Sequence, residues 1–126
     1  MIPVAVGTDV VEVDRIRRAL DRTPTLEARV FTSDEIAYCR AAREPWQRFA
    51  ARWAAKEAVI KCLGGGLPGL DPHGIEVAHL ADGAPTVRLS GDVRRRAEER
   101  GIERWLVSLS HERTVATATA IALAAM

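Results

Sequence analysis

The sequence predicts an α+β fold with a mostly antiparallel sheet. Stretches of two-residue alternation and of helical periodicity follow one another in the order strand, helices, strand hairpin, helix, strand hairpin. The later strand-like stretches come in pairs joined by short turns, "GIEVAHL" to "PTVRL" through "ADGA" and "RWLVSLSH" to "TVATATAIAL". No repeat, low-complexity tract or linker divides the 126 residues, so one domain over residues 1–126 is expected.

Residues 3–13 are rich in β-branched side chains and alternate loosely, which reads as the first strand. Asp14 is expected to cap the helix "RIRRALDR", which stops before "TPT". Ser33 in "FTSDE" is expected to cap a further helix, "DEIAYCRAAR", halted before Pro45. The longest helical signal runs from Trp46 to Leu63 and forms the central helix. It closes at a glycine run, where Gly64 to Gly66 can take the positive φ that ends a helix. The first hairpin follows, then a short amphipathic helix in "SGDVRRRAEERG", then the final hairpin.

The bulk numbers exclude several classes. With 48% hydrophobic and 28% charged residues and a net charge of +1, the chain is neither disordered nor a strongly basic nucleic-acid binder. Its two cysteines, Cys39 and Cys62, lack a paired spacing, which fits a reducing interior and argues against a cysteine zinc site. The N-terminus lacks the basic and apolar regions of a signal peptide, and the longest uncharged run, Thr114 to Met126, is too short to span a bilayer. A soluble cytoplasmic protein without a membrane partner is expected.

Two carboxylates stand where apolar residues belong. Period two along the first strand puts Asp9 on the face of Ala5, Gly7, Val11 and Val13. A carboxylate there requires a cation, a set of donors or a cleft, or else accepts backbone N–H bonds in a turn or bulge beside Gly7. On the central helix, Trp46, Phe49, Ala50 and Trp53 form a buried stripe whose next members are Glu57, Ile60, Lys61 and Gly64. Glu57 and Lys61 are spaced for an i, i+4 ion pair, the usual meaning of that interval. Their surroundings, Ala54, Ala55, Ala58, Val59 and Cys62, are apolar, which a surface pair does not need. Two carboxylates with open positions suit magnesium, and a lysine beside them suits a phosphate. Glycines after a helix permit close approach of a ligand but do not make a P-loop, whose glycines precede the helix.

"VGTDVVEVDRI", "RWAAKEAVIKCLGGG" and "VSLSH" resemble, in that order, the three signature segments of the holo-acyl-carrier-protein synthase family, the small 4'-phosphopantetheinyl transferases. "FT" with Glu35 and the "DGAP" turn with Pro85 extend the resemblance over essentially the whole chain. The resemblance implies a 4'-phosphopantetheinyl transferase-like fold, with the sheet wrapped around the long central helix. It also implies transfer of the phosphopantetheine arm of coenzyme A to a serine of an apo acyl or polyketide carrier protein, releasing adenosine 3',5'-bisphosphate. By the same resemblance Asp9 and Glu57 hold Mg2+, and Lys61 lies by the phosphates. Arg52, Gly64, Gly65, Pro85, Ser110 and His111 are placed at the coenzyme, the last two reaching a neighbouring copy's site in a homotrimer with sites at the subunit interfaces. Arg15 is the leading contact for an acidic carrier helix, with Arg18 and Arg22 along the same side.

Attack of a hydroxyl on a phosphoryl centre needs charge neutralisation, in-line positioning and removal of a proton. Glu57 can take that proton directly or through water, and His111 is a second candidate that the resemblance assigns to binding. Other readings stand beside these. Arg52 on a solvated helix face, and the row of Arg15, Arg18 and Arg22 as a plain surface, are the bland alternatives. Lys56, on another face from Lys61, is expected to pair locally or guard the cleft mouth. His73 and His79 lack ligand spacing and read as structural. "VRRRAEER" is basic, but its acidic neighbours argue against nucleic acid. Trp53 stands where the family usually has phenylalanine, Ile60 where a small polar residue is common, and Glu112 where threonine is frequent. Glu112 would set a negative charge near the nucleotide. A silent carrier-binding homologue is the rival function, disfavoured because a pure binder gains nothing from a buried ionic cluster.

Overall fold

The structure, a computed structural model, describes residues 1–64 and 69–126. Its elements are β1 (Ile2–Glu12), α1 (Val13–Arg22), α2 (Thr25–Val30), α3 (Ser33–Arg40), α4 (Trp46–Cys62), a 3-10 turn (Pro72–Gly74), β2 (Ile75–His79), β3 (Pro85–Leu89), α5 (Gly91–Glu99), β4 (Ile102–His111) and β5 (Val115–Ala124). Both sheets are antiparallel, as the α+β expectation required: β1-β5-β4, and the β2-β3 hairpin.

Sequence-last β5 occupies the middle of the three-stranded sheet. Its strict alternation explains the position: Ala116, Ala118, Ala120 and Ala122 are all buried and form a flat surface of methyl groups. α4 lies on that surface with its own small residues, Ala51, Ala54, Ala55 and Ala58, so helix and sheet approach closely. The Cys62 thiol sits 3.5 Å from the Ala120 carbonyl. β1 lies at the sheet edge, which tolerates Pro3 and its missing N–H beside a register shift between Pro3 and Ala5. The face of this sheet opposite α4 exposes Ile2, Val4, Val6, Val10 and Leu106, with Val6 68% and Val10 66% exposed.

Several local expectations are corrected. α1 starts at Val13 with Glu12 at its N-cap position, so Asp14 lies inside the first turn, ion-paired to Arg17 and, at 3.0 Å, to Arg18. The helix cap read at Ser33 belongs to Thr32, which forms a reciprocal capping box with Glu35. The six-residue α2 has no counterpart in the sequence reading. Trp46 and Trp53 are half-buried, so they edge the core stripe that Phe49 and Ala50 fill. Among the described residues no helix is long and apolar enough to cross a membrane.

Candidate active site

β1 and α4 meet at Gly7. A β-carbon built there would lie 2.0 Å from the Ala58 carbonyl oxygen and 3.2 Å from Lys61 Cβ, so only glycine lets strand and helix pack at this distance. That approach brings together the three residues expected to share a site. Asp9, two residues along the inward face, keeps 18% of its side chain exposed. Lys61 Nζ donates to the Thr8 carbonyl at 2.7 Å and to Asp9 Oδ1 at 3.3 Å. The i, i+4 pairing of Glu57 with Lys61 therefore gives way to a cross-element pair with Asp9.

Among the described residues, no hydrogen bond or ion pair engages the half-buried Glu57 carboxylate. Burial pushes its pKa up, the negative charge of Asp9 pushes it further, and Lys61 partly offsets both. Two carboxylates thus lie close enough to feel each other's charge, with the Lys61 ammonium bonded on the Asp9 side. The donor set fits magnesium: two hard oxygen ligands from the protein, net negative charge, and an open side for water and phosphate oxygens. Among the described residues no cluster of three or more His, Cys, Asp or Glu side chains forms a closed metal cage.

Near the site is a groove of about 240 Å³ lined by Val11, Arg15, Ile16, Leu20, Phe31 and Trp53, among others. Val11 follows Asp9 on the same strand face, and Trp53 precedes Glu57 by one helical turn, so the groove lies next to the carboxylates, although neither lines it. Arg15 borders this groove, and Arg18 and Arg22 are exposed on the same helix. A wider cleft of about 930 Å³ at the start of α1, between Asp14, Arg17, Trp46 and Arg113, holds none of the expected site residues.

The other expected coenzyme residues lie elsewhere. Arg52 is not on a solvated face: it is 5% exposed, its guanidinium stacks 4.1 Å over the Tyr38 ring, and its Nη2 lies 3.3 Å from His79 Nε2. Its buried Nε has no hydrogen-bond partner. Pro85 pairs with His79 across the β2-β3 hairpin, so Arg52 and Pro85 share a second locus on the opposite side of α4 from Lys61. Ser110 and His111 end β4, exposed, in the rows of Val10 and Val11 but two strands away, about 10 Å by strand spacing. Within one chain they do not reach Asp9. Gly64 takes φ 102° directly after α4, as a helix-ending glycine should. Gly65 lies outside the described residues.

Residues 5–120 match the family model for the 4'-phosphopantetheinyl transferase superfamily. The chain belongs to that superfamily. Its relatives include the holo-[acyl-carrier-protein] synthase of Salinispora arenicola, 49% identical over 121 residues that cover 94% of this chain and 97% of that protein. The fold is shared with the holo-[acyl-carrier-protein] synthase from Neisseria meningitidis, with a TM-score of 0.86 at 31% identity, covering 97% of this chain and 99% of that one. It is also shared with the Helicobacter pylori synthase solved in complex with coenzyme A, with a TM-score of 0.80 at 26% identity, covering 94% and 99%. Membership in the superfamily establishes the phosphopantetheinyl transferase fold expected from the sequence.

One feature of this superfamily member escaped the sequence reading altogether. Lys56 neither guards a cleft mouth nor pairs locally; it is 0% exposed, and its Nζ donates to the distant Glu35 Oε1 at 2.8 Å, to the Pro72 carbonyl at 3.0 Å and to the Ile75 carbonyl. Glu35, 1% exposed, also accepts from the Thr32 N–H at 2.9 Å and the Val77 N–H at 2.9 Å. The available signal was the apolar run around Lys56 on both sides, which marks a lysine unable to reach water.

Proposed function

We propose that this protein is a magnesium-dependent holo-acyl-carrier-protein synthase, which transfers the 4'-phosphopantetheine arm of coenzyme A to a serine hydroxyl of an apo carrier protein. The observation that carries the proposal is the convergence of Asp9, Glu57 and Lys61 at the Gly7 crossing, beside an apolar groove bordered by Arg15. Bound Mg2+, held by Asp9 and Glu57, would neutralise pyrophosphate charge and orient the phosphoryl centre for in-line attack.

The side chains have distinct tasks in this reading. Lys61, half-exposed over Asp9, is free to swing its ammonium onto a pyrophosphate oxygen and stabilise charge on the leaving adenosine 3',5'-bisphosphate. Glu57 is also the group to take the proton of the attacking serine, directly or through a water. Gly64, Gly65, Arg52 and Pro85 serve the coenzyme, as the resemblance to the family implies. Ser110 and His111 act at the site of a neighbouring copy. The exposed valines of β1 are the surface on which copies assemble into a homotrimer, since an apolar sheet face of this kind is otherwise left in water. An acidic carrier helix docks along Arg15, Arg18 and Arg22 with an apolar side chain in the groove beside Trp53.

Incubating the protein with coenzyme A, Mg2+ and an apo carrier, and weighing the intact carrier, tests this function. A gain of one phosphopantetheine supports it, and an unchanged mass across several carriers overturns it. Binding of the carrier without a mass change would support the silent homologue.

A further inference from the structure

Most of the circumference of α4 is buried: Phe49, Ala50, Ala51, Ala54, Ala55, Ala58, Val59 and Cys62, with Arg52 and Lys56. Beyond the first turn they leave only the sector of Trp53, Glu57, Ile60 and Lys61 partly exposed, so apolar burial fixes the helix rotation only coarsely. Alanines also offer no ridges that would key it against the alanine surface of β5. Yet Glu57 and Lys61 must face Asp9, and a carboxylate about 5.5 Å from a helix axis moves roughly 2 Å for a 20° rotation. A displacement of about 1 Å can cost a site a hundredfold in rate. Something directional has to hold the helix.

The geometry points to the buried Glu35–Lys56 pair as the rotational lock of α4, which makes Lys56 and Glu35 positioning residues for Glu57 and Lys61. Lys56 is the residue immediately before Glu57, so the two side chains leave the helix about 100° apart. Its three N–H donors are all used, by Glu35 on α3, by Pro72 in the 3-10 turn and by Ile75 on β2. Glu35 is in turn fixed by the N–H groups of Thr32 and Val77. Three separate elements therefore grip one point on α4, while on another side the Gly7–Ala58 contact limits its approach to β1. Hydrogen bonds depend steeply on angle, which apolar packing of methyl groups does not.

This inference rests on the proposed Asp9–Glu57 metal site. The test uses Glu35→Gln/Lys56→Met, which keeps side-chain volumes and removes both charges, because deleting one charge alone leaves the other buried and unpaired. Calorimetry without carrier measures coenzyme A affinity in Mg2+ and in chelator. Wild type is expected to bind more tightly in Mg2+, and the double variant to lose most of that gain while still melting cooperatively. A purely structural pair would lower the melting temperature and leave the Mg2+-dependent gain intact, which would overturn the role. If the double variant does not fold, Glu35→Asp, which keeps both charges but shortens the acceptor's reach to Lys56, is expected to lose part of the gain, and an unchanged gain overturns the role. Wild type that shows no Mg2+-dependent gain sinks the metal reading and this role with it. Wild type with the gain and a folded variant that retains it sinks only the lock.

Discussion

Gly7 and Ala58 touch backbone to backbone: a β-carbon on Gly7 would lie 2.0 Å from the Ala58 carbonyl oxygen. Gly7→Ala must therefore push β1 and α4 apart and separate Asp9 from Glu57 and Lys61. The expected cost is about 1–3 kcal/mol or more of stability, typical of overpacking in a dense interior. Transfer should fall by a factor of roughly 100 in protein that is still folded, following the cost of an ångström-scale misplacement. Thermal melts and initial rates on the same sample separate the two effects.

Glu57 makes stability depend on pH in a specified direction. Its carboxyl is raised above its ordinary value of 4.5 by burial and by Asp9. The protonated form is the one the fold favours, so its stabilising contribution is complete below 4.5 and lost as pH rises through the raised value. In chelator, Glu57→Gln should melt higher than wild type at neutral and mildly alkaline pH, and the difference should close as pH falls toward 4.5. Wild type melting higher than the variant throughout would contradict the account of the site.

Arg15 borders the apolar groove beside Val11 and Trp53, whereas Arg18 is engaged by Asp14 at 3.0 Å. Arg15→Glu should raise the KM for carrier by tenfold or more, the scale of a reversed interfacial charge, with coenzyme A affinity unchanged. Arg18→Glu should cost less. Steady-state kinetics with carrier as the varied substrate checks both.

The apolar strip on the outer face of β1 should be an interface. Val6→Glu places a charge in its middle, at a position 68% exposed in the single chain, and should leave the fold intact. Light scattering is expected to show wild type as a trimer and the variant as a smaller species. A variant with wild-type mass would remove that face from the assembly.

Much of this was legible in the sequence, for physical reasons. β-branched alternation marked β1, a long apolar period marked α4 to within one residue of its end, and the glycine after it marked the stop. Asp9 and Glu57 stood out because each interrupted an apolar pattern. What stayed hidden depends on partners distant in sequence. Lys56 meets Glu35 across 21 positions, and Arg52 meets His79 across 27, so neither contact has a local signature. In the sequence Arg52 reads as a coenzyme contact or a solvated side chain and Lys56 as a local pair or a guard at the cleft mouth, because a binary pattern leaves a charge no place in the interior. The central place of β5 reflects pairing with β1 across the whole chain, and the six residues of α2 are too few for a period to register. Thr32 displaced Ser33 as a cap because Glu35 lies three residues after Thr32, the spacing that completes a capping box.

The central claim is that Asp9 and Glu57 together serve a phosphopantetheinyl transfer. Its most direct test is the intact mass of an apo carrier protein incubated with coenzyme A, Mg2+ and either wild type or the folded variants Asp9→Asn and Glu57→Gln. The account predicts that wild type adds one phosphopantetheine and that both variants leave the carrier at its apo mass over the same interval. Transfer by either variant at the wild-type rate, or an unmodified carrier with wild type, would contradict it.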